Sequence, residues 1–260
     1  ANNRKNIMPE YKSGRDLQRI TNWDAFDDKD DEDDAKVDQM VRIIQYLKTL
    51  PVKTISIPKV EADDVIAYLS KSVITHPKDK SFIVSSDKDF LQLVSDNVIV
   101  YRPMEKEYYT SKTVIDKYKI SPHNFILHKT LLGDNSDKIK GVKGLGEKGL
   151  LKKFPELIEK DMNWDDILNI CENKMSDHVI YARIIHGRDD LEKNYKIMDL
   201  SNPMLSKEDK EGLDEVVSSK DLPYYPDQFV SMYNEDQIGG LIRNLEFWVK
   251  DCFENLVIKK

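Results

Sequence analysis

The feature that most restricts the fold is a repeated step from an apolar run into an acidic cluster. Lys53 to Ile57 reads as a strand and leads into Val60-Glu61-Ala62-Asp63-Asp64. Phe82 to Val84 reads as a second and leads into Ser85-Ser86-Asp87-Lys88-Asp89-Phe90. Each continues into a helical pattern, such as Val65, Ile66, Leu69 and Val73. Upstream, Val37 to Leu50 has the spacing of an amphipathic helix ending before Pro51. Downstream, Val98 to Tyr101 and Glu107 to Thr110 add short strands toward an edge, and Ser111 to Tyr118 a helix. The alternation predicts a parallel α/β sheet, whose strand C-termini form the rim where ligands bind.

Carboxylates converging on one rim either raise one another's pKa or recruit a cation. A third cluster, Gly133-Asp134-Asn135-Ser136-Asp137, follows further on. No His or Cys lies within these motifs, so the donors are hard oxygens that suit magnesium or manganese better than zinc. Alone, Asp63-Asp64 reads as readily as a helix cap or a solvated turn. Three such groups favour a metal site. In an extended stretch Glu61 and Asp63 would face one side, leaving Asp64 as a cap or a support for the ligands.

A net charge of −7 argues against indiscriminate nucleic-acid binding, so local patches decide. Arg4, Lys5, Lys12, Arg15 and Arg19 make the N-terminal stretch basic around Tyr11. That aromatic could stack a base while the cations hold phosphate, the alternative being a solvated turn. From Asp24 to Asp38 the sign reverses, with acid almost unbroken from Asp27 to Asp34, which predicts a mobile loop. Ser121-Pro122 predicts a helix start, with the helix ending at Gly133. Gly141, Gly144 and Gly146 then precede a helix from Leu150 to Phe154, among Lys138, Lys140, Lys143, Lys148, Lys152 and Lys153. A backbone so free of side chains can approach phosphate closely, and the lysines add sequence-independent affinity. The pattern lacks the preceding strand and sixth-position glycine of a dinucleotide fingerprint. It fits a helix-hairpin-helix gripping a DNA backbone, with an ordinary glycine-rich turn as the alternative.

Beyond Pro155 the chain reads as helical over Trp164 to Cys171, Asp177 to Ile185, Glu208 to Val217, Gln228 to Tyr233, Ile238 to Leu245 and Phe247 to Leu256. Cys171 and Cys252 have no metal or disulfide spacing, which suits reduced thiols in a cytosolic protein. No apolar run approaches the ~20 residues of a membrane span, and no signal peptide is visible. The chain opens with Ala1 on a polar stretch, and we expect an N-terminal portion to lie outside it.

Tyr11-Lys12-Ser13-Gly14-Arg15, the three acidic clusters, Gly141 to Lys148 and, more loosely, Asn194 to Leu200 occur in an order that resembles the structure-specific 5′ nucleases. That family includes phage 5′ to 3′ exonucleases and flap endonucleases, one long called a phage ribonuclease H, and the 5′ nuclease domain of bacterial DNA polymerase I. The resemblance implies an α/β fold with a PIN-like, mostly parallel central sheet, flanking helices, a helical arch and a helix-three-turn-helix. It places the nuclease core and arch in 1–120, with the arch near 1–50, and a helical DNA-binding region in 121–260, with the helix-three-turn-helix near 133–155.

It further implies two Mg2+ or Mn2+ ions. Glu61 and Asp63 would bind the first, Asp87 would lie between, Asp89, Asp134 and Asp137 would bind the second, and Asp64 would act through water. Lys12 and Arg15 would meet the scissile phosphate, and Tyr11 would pack on a displaced base. Lys140, Gly141, Lys143, Gly144, Gly146 and Lys148 would hold duplex DNA. Val142 and Leu145 would offer backbone carbonyls to potassium.

The implied partners are branched or nicked duplexes, 5′ flaps and RNA-DNA hybrids, with single-strand binding protein or other replication proteins as candidates. A cytoplasmic monomer of phage or bacterial type is expected. The family's first strand, ending in an Asp, and a second Asp before the arch have no match here. A PIN-like ribonuclease and a non-catalytic DNA-junction binder stand as the alternatives.

Overall fold

In a computed structural model, residues 3–13, 22 and 24–257 are described. Charge organises the first long helix, α1 (Lys29–Thr49). The Asp28 carboxylate caps it by accepting from the Asp31 amide at 2.9 Å, and Asp30, Asp31 and Glu32 occupy the first turn, at the positive end of the helix dipole. Lys29 and Lys36 pair with Glu32 and Asp33 one turn away. The acidic run expected as a mobile loop is therefore largely helix, because dipole and lysines offset its self-repulsion. Its apolar stripe, including Val37, Met40 and Val41, stays exposed.

The next elements are α2 (Ala62–Ser72), β1 (Ser81–Val84), a 3-10 helix at Lys88–Leu93, β2 (Val98–Arg102), β3 (Glu107–Tyr109) and α3 (Ser111–Tyr118). After them come α4 (Phe125–Leu132), the two-residue strands β4 (Gly133–Asp134) and β5 (Ile139–Lys140), α5 (Glu147–Lys153) and α6 (Glu156–Glu159). The remaining helices are α7 (Trp164–Asn173), α8 (Val179–His186), α9 (Arg188–Met198), α10 (Lys207–Ser218), α11 (Pro226–Glu235) and α12 (Leu245–Phe253). Among the described residues, no helix is long and apolar enough to cross a membrane.

Two compact units result, Ala1–Arg15 with Ile57–Lys210, and Asp16–Ser56 with Glu211–Lys260. In the first, β1 pairs parallel with β2, Ser81 facing Val98, and β2 pairs antiparallel with β3. Ile83, Val98, Val100 and Tyr109 turn one sheet face into a core shared with Phe90, Leu127, Leu150 and Ile167. In the second, Leu50, Phe229, Tyr233 and Val249 form a separate small core, and Arg42 of α1 forks onto Asp236 at 2.7–3.0 Å.

Several predicted elements change. Lys53 to Ile57 joins no ladder among the described residues. Lys53, Thr54 and Ser56 interrupt the continuous apolar run that a parallel interior strand needs. The helix expected from Ser121 starts at Phe125, because Ser121 instead closes a turn onto the Asn124 amide at 3.3 Å. The helix expected over Ile238 to Leu245 does not form: Gln237 and Gly239 take positive φ, and α12 begins only at Leu245. α9 arises where no helix was expected, its apolar positions Leu191, Ile197 and Met198 diluted by charge.

Candidate metal centre and nucleic-acid interface

Glu61 caps α2 in extended conformation, and Asp63 and Asp64 form the first helical turn. Helical rotation, not strand alternation, thus separates these acids. It turns Asp64 inward to 1% exposure, where its Oδ1 lies 3.0 Å from one Arg4 nitrogen, its Oδ2 pairs with another, and the Met204 amide donates to Oδ1 at 2.9 Å. Arg4 also donates from Nε to the Ile197 carbonyl at 2.7 Å. Burial works against the Arg4 charge, but Asp64 and Glu61 more than offset it and hold its pKa above the ordinary value.

Glu61 accepts from Lys12 Nζ at 2.9 Å and from the Tyr11 phenol at 3.2 Å, and lies 3.2 Å from Arg4. Tyr11 is 4% exposed, with its ring among Met8, Ile126, Ile139, Ile197 and Met198, so the phenol rather than a ring face reaches the site. Lys12, at φ +54°, also donates its amide to the Asp137 carbonyl at 3.2 Å, which ties the basic stretch to the third acidic cluster. Arg15 lies outside the described residues.

Past β1, the chain turns at Asp87. Its amide donates to Ser85 Oγ at 3.1 Å, and its Oδ1 accepts from the Asp89 amide at 2.9 Å, capping the 3-10 helix and leaving Asp87 exposed. Asp89 and Asp134 share Lys129 of α4, whose Nζ pairs with Asp89 and lies 2.9 Å from Asp134 Oδ2. Burial, then Asp87 and Asp134, push the Asp89 carboxyl up to about 6 against the pull of Lys129. Asp134 is held down to about 2 despite burial, because the Ser136 hydroxyl and amide donate to it at 2.5 and 2.8 Å in addition to Lys129. The two acids differ because Asp89 is the more deeply buried and faces Asp87, while only Asp134 collects the serine donors. Asp137 is buried in the β4–β5 turn. A cleft of about 510 Å³ is lined by Asp87, Asp89, Lys129, Asp134, Ser136 and Glu147, among others.

The acids therefore form a linked series. Burial raises Asp63, and Asp87 and Glu61 raise it further; Asp87 and Asp134 in turn act on Asp89. Among the described residues no three His, Cys, Asp or Glu side chains are gathered as a ready metal site, and Arg4, Lys12 and Lys129 supply the counter-charge. The oxygen-only donors and their mutual repulsion fit a hard divalent cation in chemistry. Sequence reasoning missed the roles of Arg4 and Lys129. The available signal for Lys129 was its place as the cation on an otherwise largely apolar helix, Phe125–Leu132.

The glycine-rich segment divides into structural and accessible parts. A Cβ at Gly141 would stand 2.2 Å from the Leu132 carbonyl carbon, so this glycine permits β4 and β5 to close. Gly144 has φ +83° and forms the turn, which Arg183 pins by donating to the Lys143 carbonyl at 2.7 Å. Gly146 has open space around it. Val142 and Leu145 bury their side chains, and the Val142 carbonyl accepts from the Leu145 amide at 3.0 Å. Lys140, Lys143 and Lys148 are exposed.

Comparison with known proteins points the same way as the motifs. Residues 1–119 match the 5'-3' exonuclease N-terminal, resolvase-like domain. Over those residues the chain is similar to that family. A 5'-3' exonuclease of Aquifex aeolicus is 35% identical over 177 residues, 66% of this chain and 57% of that protein. The thermostable DNA polymerase I of Thermus thermophilus is 34% identical over 135 residues, 52% of this chain and 15% of that one. The chain thus spans less than two thirds of these relatives. In structure, the bacteriophage T5 D15 flap endonuclease, solved with DNA and metal ions, matches with TM-score 0.62 and 21% identity over 89% of this chain and 79% of that one. The T5 5'-exonuclease with bound zinc matches with TM-score 0.60 and 23% identity over 89% and 78%. These likenesses show the α/β nuclease fold, and the 5′-nuclease resemblance carried by the motifs holds.

Proposed function

We propose that the chain is part of a divalent-metal-dependent 5′ to 3′ exonuclease or flap endonuclease that hydrolyses phosphodiester bonds near junctions of single-stranded and duplex DNA. The observation that carries this reading is the linked series Glu61, Asp63, Asp87, Asp89 and Asp134 beside Lys12, in the unit that also holds the lysine-studded glycine segment. The substrates would be 5′ flaps, nicked duplexes and RNA-primed DNA. In this reading 1–120 carry the chemistry and 121–260 the duplex grip, with potassium at the Val142 and Leu145 carbonyls.

Two divalent cations, when bound, would lower the pKa of an attacking water and stabilise the leaving 3′ oxygen. The chain's part is to hold and orient. Glu61, Asp63, Asp87, Asp89, Asp134 and Asp137 would supply the oxygens, while Asp64, locked by Arg4, fixes the first turn of α2. Lys12, anchored through its amide to the Asp137 carbonyl, would offset charge on the phosphoryl oxygens, with Arg15 as its companion. Lys140, Lys143 and Lys148 would hold the duplex backbone without reading sequence.

The test is digestion of 5′-labelled flap, nicked and RNA-primed duplexes in magnesium, with and without chelator. Chelator-sensitive release of 5′ fragments is expected. Asp87→Asn should lower cleavage at least about a hundredfold while duplex binding persists. Turnover retained by that variant would end the proposal, and binding with no cleavage by the parent chain would favour a junction-binding protein, consistent with acids already neutralised by Arg4, Lys12 and Lys129.

A further inference from the structure

Lys129 is the only buried lysine among the described residues. It is 9% exposed on a helix whose neighbouring residues Phe125, Ile126, Leu127 and Leu131 are buried. The helix is fixed by packing, so only the four-carbon stem can move. Its ammonium stands between Asp89, on the 3-10 helix after β1, and Asp134, on β4, the two acids brought together from separate elements. Two carboxylates and one ammonium leave a net negative charge at this point, which a divalent cation taking the place of the ammonium would bring to zero. An ammonium and a divalent ion cannot share the same oxygens without strong repulsion.

We infer that Lys129 is a built-in counter-ion: its ammonium occupies the cation position between Asp89 and Asp134 and is released into the cleft when a divalent ion binds there. The inference rests on the metal-dependent reading above. Lysine suits the role because its charge is a single point on a flexible stem, whereas a guanidinium fork would lock both carboxylates. Glu147 lines the same cleft and gives the released ammonium an acid to face. Lys129 so placed is a positioning residue: it holds the two acids together before the metal arrives, and it sets the metal concentration at which they are filled. A site whose competent state is populated a tenth of the time binds with about tenfold lower apparent affinity.

The test is calorimetric titration of Mn2+ at pH 8 into the parent chain, Lys129→Met and Asp134→Asn, without DNA. The parent should bind Mn2+, Asp134→Asn should lose that binding, and Lys129→Met should bind about tenfold more tightly. Unchanged or weaker binding in Lys129→Met, with the parent intact, would overturn the counter-ion role and leave the metal reading standing. Absence of Mn2+ binding in the parent would overturn both. A second measurement needs no stable Lys129→Met protein. In 15N-lysine NMR of the parent, the protected ammonium signal assigned by its loss in Lys129→Arg should move or exchange away as Mg2+ is added. A signal unmoved at saturating Mg2+ would reject release.

Discussion

The two halves of the acidic series are neutralised in different ways. Asp64 is held by a buried arginine fork, which also reaches Glu61 and the Ile197 carbonyl and leaves that carboxylate committed. Asp89 and Asp134 are held by one lysine at the wall of an open cleft. An arginine in bidentate contact satisfies geometry as well as charge, so the Asp64 half is architecture. A lysine satisfies charge alone, so the other half can exchange its cation.

Stability separates these roles most sharply. Arg4→Met strands Asp64 at 1% exposure and should cost about 3–5 kcal/mol in denaturant unfolding. Lys129→Met leaves acids that are 21–22% exposed on the side chain, and solvent should reduce its cost to about 1–2 kcal/mol. Equal losses would break the distinction.

The third cluster and the glycine segment sharpen the contrast between architecture and access. Gly141→Ala forces a methyl against the Leu132 backbone and should cost about 2–3 kcal/mol, with loss of DNA binding following from the damaged hairpin. Gly146→Ala meets nothing within 4 Å and should leave stability within about 0.5 kcal/mol. Any loss of duplex affinity in that second variant would then report directly on backbone access. Comparable destabilisation by both would remove the division.

How much could be read beforehand follows the same line. The strands at Phe82 and Val98 were legible because short motifs fix their local structure, whereas the two-residue pairing of β4 with β5 just before the glycine segment was not. The extended geometry assumed beyond Glu61 failed because the preceding segment is too polar to be an interior strand, so α2 begins at Ala62 and turns Asp64 inward. Arg4 was invisible as a site residue because Asp64 lies 60 positions away, and Lys129, though marked as the cation on a largely apolar helix, carried no trace of Asp89, 40 positions before it. The acidic stretch before Val37 misled because charge density alone does not reveal an N-cap at Asp28 and lysines one turn on.

The smallest expected effect lies beside Lys129. His128 is stacked on Phe125, its Nδ1 is buried without a partner, and burial lowers its pKa below the ordinary 6.5, with Lys129 and Lys88 acting in the same direction against Glu147. The unfolded chain therefore takes up this proton first as the pH falls. Stability from the neutral imidazole is fully present above about pH 6.5 and is lost as the pH drops toward the lower folded value, with a slope of at most about 1.4 kcal/mol per pH unit from this group. Unfolding free energies of the parent and His128→Phe, measured between pH 5 and 8, should diverge only in the acid half of that range. Among the described residues no histidine is bonded to the Arg4–Asp64 pair, in which Asp64 meets the guanidinium and the Met204 amide. A parent profile that parallels the variant at every pH would show that the lysine-held side carries no such titration, and the two halves of the series would then differ in geometry alone.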